Sequence, residues 1–258
     1  MPRKLFAATL LFALALGGGS AHALDAAKVK AIASAADAFE TLAKDSSKTG
    51  NPPRQTDGSA KALLDLVFDV SELQTGTRFE MTDLANLNAW QLAILKVGGV
   101  YVLAGTGAKG AGAPPTDQKS TETINQNTGK FAPEMGRYVD AQLWVQGAMI
   151  DTMSRFLANA PIEALQRQGV RDSIAQTRAG LAKSLNGVIV MFLNQGVDDN
   201  WRRDRLPALA ALGFLSANFL LPEDARIVRN TALEVANRMK DPATQASLRL
   251  FATTVTPR

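Results

Sequence analysis

The chain has no cysteine and a single histidine, His22, among its 258 residues. Disulfide staples and thiolate nucleophiles are therefore excluded, and the usual ligands of a transition-metal site are missing. A strong charge of one sign is lacking too, with 28 basic residues against 24 acidic ones. Long apolar runs are confined to the start of the chain.

That one run decides the fate of His22. Arg3 and Lys4 precede an apolar stretch over residues 5–16, Gly17-Gly18-Gly19 follows, and Ala21-His22-Ala23 has the small-x-small form of a leader cleavage site. The stretch is short for a spanning helix and ends in glycines. A cleavable export signal over residues 1–23 is expected, with an uncleaved membrane anchor as the competing reading. Arg3-Lys4 is not a twin-arginine pair and there is no cysteine to lipidate, so the general secretion route is expected. Cleavage after Ala23 leaves 235 residues without histidine. It also takes two basic residues, so 26 remain against 24 acidic ones, a net charge of +2. Such a balance disfavours nucleic acid as a partner. The expected product is soluble, without a transmembrane segment, in a bacterial periplasm or outside the cell.

What is present is helical periodicity. Asp25 can cap a first helix carrying Val29, Ile32, Ala36, Phe39 and Ala43 at three- and four-residue spacing. Residues 46–58, with Pro52-Pro53, read as a loop, and helices are expected over 59–70 and 83–104. Helical stretches are then expected from 120, over 134–159, briefly after Pro161, and over 170–195, 199–220, 223–239 and 242–254. The run Val188-Ile-Val-Met-Phe-Leu193 could be a strand, but its helical flanks favour a buried helix end. No alternating pattern supports a sheet. The expected fold is all-α, a single bundle of about seven to eight helices over residues 24–258. The glycine- and proline-rich residues 105–119 form a candidate subdomain boundary.

Gly105-Thr-Gly107-Ala-Lys-Gly110 spells a dinucleotide-binding fingerprint, yet Ala-Gly-Ala-Pro-Pro follows and cannot open the helix that chemistry needs. A flexible loop is the plainer reading. Lys48-Thr49-Gly50 and Ser216-Ala217-Asn218 echo two elements of serine penicillin-recognising enzymes. The third is missing, because no serine has lysine three residues later. No cofactor and no metal are expected, and the acids near Asp198 lack the spacing of a calcium loop.

Two groups of residues are candidates for ligand binding. Tyr138, Trp144, Met149 and Met153 lie along the expected central helix and could line an apolar cavity, or simply fill the core. Trp201, Arg202 and Arg203, with Arg205, could form an anion-binding patch beside a stacking indole. Alternatively Asp198 or Asp199 caps that helix and the acids pair with the arginines. Asp151 can pair with Arg155, which with Asp140 suggests a solvated face, and Gly98-Gly99 suggests close helix packing. The composition favours a binding or assembly protein whose partner is another envelope protein or an apolar small ligand. The alternative is a carboxylate-dependent hydrolase or lyase acting on cell-wall glycan, with Glu134 and Glu80 as candidate acids. Arginines near Arg202 and at Arg226 and Arg229 raise a third reading, a membrane-surface protein.

Overall fold

A computed structural model describes residues 24–74, 77–108 and 117–255. The expected leader and Gly110 lie outside them. Among the described residues the chain is helical and holds no strand, as the periodicity predicts. Nine helices have ten residues or more: α1 (Ala26–Leu42), α3 (Gly58–Val67), α5 (Leu84–Val102), α6 (Gln118–Lys130), α7 (Ala132–Asn159), α9 (Gln168–Met191), α10 (Asp199–Ser216), α11 (Pro222–Arg238) and α12 (Pro242–Thr254). Among the described residues three single α-turns, α2 (Ser46–Thr49), α4 (Ser71–Gln74) and α8 (Ile162–Gln166), and a 3-10 turn over Met81–Asp83 join them. The expected count of seven to eight is thus too low. The nine long helices alone exceed it, and of the single turns α8 is the one expected after Pro161, whereas α2 falls inside a segment read as loop.

Local chemistry sets the boundaries. The Asp25 carboxylate accepts from the Ala27 amide (2.8 Å) and Asp198 from the Trp201 amide (2.7 Å), so these two expected caps form. Ser59, expected to cap the second helix, instead lies inside α3, and Thr82, expected to cap the third, lies in a turn before α5. Gly50, at φ 68°, ends α2 in the left-handed region. The run from Val188 stays helical through Met191, and Phe192 and Leu193 turn out of α9. No helix among the described residues is long and apolar enough to cross a membrane.

α7 is the axis of the fold. On one side it packs against α5, which with α1 and α3 encloses Ile32, Phe39, Leu64, Trp90 and Ile94. On the other it packs against α10, and α10, α12, α11 and α9 follow one another round a second group containing Leu185, Leu212, Val228 and Leu248. α9 returns to α7 through Ser184, whose hydroxyl accepts from Gln142 (2.7 Å) and Gln146 (2.8 Å). α10 and α12 run parallel. Arg203 meets Asp241 (3.8 Å) near their starts, and Gly213 lies under the Phe251 ring near their ends.

Candidate functional site

The aromatic and methionine stripe of α7 is packed. Tyr138 lies on Gly98 of α5, where a Cβ would overlap the tyrosine ring, and burial pushes its phenol up to about 12. Met153 is buried, and Trp144 and Met149 are half-buried against the same core. The close approach expected at Gly98-Gly99 occurs at Gly98.

The cluster around Trp201 is divided among three tasks. Arg202 donates to the carbonyls of Phe192 (2.8 Å) and Asn194 (2.7 Å) and pairs with Asp199 (2.7 Å), closing the end of α9. The exposed Arg203 lies beside Asp241. Trp201 donates its indole N–H to the Ala132 carbonyl (2.8 Å) at the start of α7. Arg205 is buried, stacks on Trp201 at 4.5 Å, and reaches Asp140 at 3.0 Å. Its guanidinium occupies the space a side chain at Gly136 would need. Burial pushes the Asp140 carboxyl up to about 6, against the pull of Arg205 and with the Asp204 charge adding to the rise. The stacking role expected of Trp201 is therefore met inside the protein. Asp151 does pair with Arg155 (3.0 Å), whereas Asp140 is drawn to α10.

Glu134 is 1% exposed. Its carboxylate accepts from Arg54 Nε (3.0 Å), Arg54 Nη2 (3.3 Å) and the Gln55 amide (3.0 Å). Around this pair the loop before α3 is fastened to α5, α6 and α7. Tyr101 donates to the Pro53 carbonyl (2.8 Å), Lys130 to the Gly50 carbonyl (2.7 Å), and Arg54 lies over the Phe131 ring at 5.1 Å. Burial, with the Glu134 charge, raises the Tyr101 phenol above its ordinary range. Glu80 is more than half exposed, with Arg155 at 3.9 Å.

The first part of the glycine-rich segment is tied down. Gly105 and Gly107, at φ 75° and 73°, donate their amides to the Ser46 (3.0 Å) and Ser47 (2.6 Å) carbonyls of α2. The two amides a pyrophosphate would need are thus engaged. Beside them a groove of about 90 Å³ opens, floored by Gly99, Val100 and Leu103 and edged by Lys44 and Lys96.

One surface has no counterpart among the residues singled out in the sequence. Gly213 faces Phe251 across two parallel helices. One residue forward on α10 and one residue back on α12 therefore project to the same side, away from the core. These are Phe214, 69% exposed, and Leu250, 65% exposed. The stripes continue through Pro207 and Ala210 on α10 and through Ala243 and Ser247 on α12, at helical spacing and without a charge. The signal was available, since the 3–4 spacing of Pro207, Ala210 and Phe214 runs opposite the core stripe Ala208, Leu209 and Leu212. Two superposed apolar stripes blur each other's period. Comparisons with protein-family models, curated proteins and solved structures gave no match.

Proposed function

We propose that the protein is exported and acts by binding or assembly, seating a helix of another envelope protein on the outer face of α10 and α12. The observation that carries this reading is the stretch of that face beyond the Arg203–Asp241 pair, which carries no charge at positions 207, 210, 214, 243, 247 and 250. It holds Phe214 and Leu250, two of the three most exposed large apolar side chains among the described residues. Isolated exposed leucines are ordinary, but a pair of aligned stripes on parallel helices offers the groove in which an amphipathic helix packs. Burying Phe214 against a partner would contribute about 2 kcal/mol. Native mass spectrometry of the purified protein, and of Phe214→Glu, tests this. The wild type should retain a partner from envelope extract and the variant should lose it, with its helical circular dichroism unchanged. Equal retention by both, or none by either, sinks the reading.

A second reading, an apolar small ligand, is favoured by the groove between α1, α2 and α5. Its volume falls below the roughly 300 Å³ at which pockets take drug-sized molecules, so it suits a few heavy atoms. The glycan-hydrolase alternative draws less support, because Glu134 is closed off by Arg54 and Gln55.

A further inference from the structure

Leu24, the residue that follows the expected cleavage site, is 2% exposed and lies against Asp83, itself 3% exposed. The Leu24 backbone nitrogen donates to Asp83 Oδ1 at 3.0 Å, while Asp83 Oδ2 accepts from the Glu80 amide at 2.8 Å. Asn86 holds the Leu24 carbonyl (3.3 Å), and Asp25 caps α1 immediately afterwards. Among the described residues no lysine or arginine forms an ion pair with Asp83. A carboxylate so deeply buried is costly unless a cation joins it.

We infer that leader removal supplies that cation: cutting the chain between Ala23 and Leu24 turns the Leu24 nitrogen into an α-ammonium that forms a buried ion pair with Asp83. The inference rests on the export reading above. The chemistry is hydrolysis by a leader peptidase. Water adds to the Ala23 carbonyl, the C–N bond breaks, Ala23 leaves as a carboxylate, and the Leu24 nitrogen takes up protons to become ammonium. An amide N–H at this point donates one hydrogen bond, whereas the ammonium brings a full charge and three donors to the same carboxylate. Processing thus completes the joint between the start of α1 and the turn before α5.

The test compares the exported, processed chain with a chain bearing one extra alanine before Leu24, each with and without Asp83→Asn. N-terminal sequencing of the exported protein should begin at Leu24. At neutral pH the processed chain should melt about 5 °C or more above the extended one. Asp83→Asn should close most of that gap, which loss of a hydrogen bond common to both chains does not do. Equal melting of the processed and extended chains overturns the inference. So does an exported chain that begins elsewhere, which leaves the export reading standing. A chain that stays uncut in the cytoplasm overturns both.

Discussion

At the scale of single residues, burial decides what each charge does. Arg54 keeps more than a third of its side chain in water while Glu134 keeps almost none, so the two halves of that ion pair are not equivalent. Removing the arginine strands a buried carboxylate; removing the carboxylate leaves a cation that water reaches. Arg54→Ala should cost about 3–5 kcal/mol and Glu134→Gln about 1–2 kcal/mol in urea unfolding at neutral pH. Equal costs would show that the carboxylate is not the buried partner. Asp140 makes the opposite contribution. Its carboxyl rises from the ordinary 3.8 to about 6 in the folded protein, so between those values the native state holds more protons than the unfolded one. Stability should accordingly fall as pH rises from about 4 to 6, and Asp140→Asn should flatten that slope. An unchanged slope in denaturation midpoints across that range would assign it to other groups. Both residues stood in the sequence as plain acids. Neither Arg54, eighty residues from Glu134, nor Arg205, on another helix from Asp140, could be paired with them by spacing.

At the scale of elements, the helices were legible and their joints were not. Asp25 and Asp198 announced their helices because capping is local chemistry, settled within three residues. α6 meets the loop between α9 and α10 at Gly129 and Gly196, where a Cβ on either would stand 2.5 or 2.7 Å from the other backbone. Such contact cannot be relieved by turning a side chain. Gly129→Ala and Gly196→Ala should each force the two segments apart and cost about 2–3 kcal/mol, measurable as a lowered melting temperature. Full stability in Gly129→Ala would mean that this crossing is not made. The glycine-rich segment after α5 teaches the same lesson. Its sequence reads as a flexible loop, yet Gly105 and Gly107 bind its first residues to α2.

At the scale of the whole molecule, α7 belongs to both groups of helices, with Tyr138 on α5 and Gly136 and Asp140 on α10. The buried residues of both groups form one continuous cluster, joined through Tyr138, Val139 and Leu143 of α7. The fluorescence changes of Trp90, within the α1–α5 group, and Trp201, beside α10 and α7, should therefore report one unfolding transition in single-tryptophan variants. Two separated midpoints would divide the chain into independent units.

The sequence by itself determined the all-helical class, most helix limits and the caps at Asp25 and Asp198, because these depend on period and on neighbours within a turn. It also carried the pattern expected of a leader, which follows from the order of residues 3–23, and the absence of cysteine, which follows from composition alone. Only the tertiary structure decided which faces were spent. It placed Arg202 and Arg205 on protein groups, closed Glu134 under Arg54, seated Leu24 on Asp83, and left Phe214 and Leu250 uncovered. Burial and long-range pairing depend on how helices tens of residues apart are brought together. The linear pattern shows that a residue can be buried or paired, and only packing selects its neighbour.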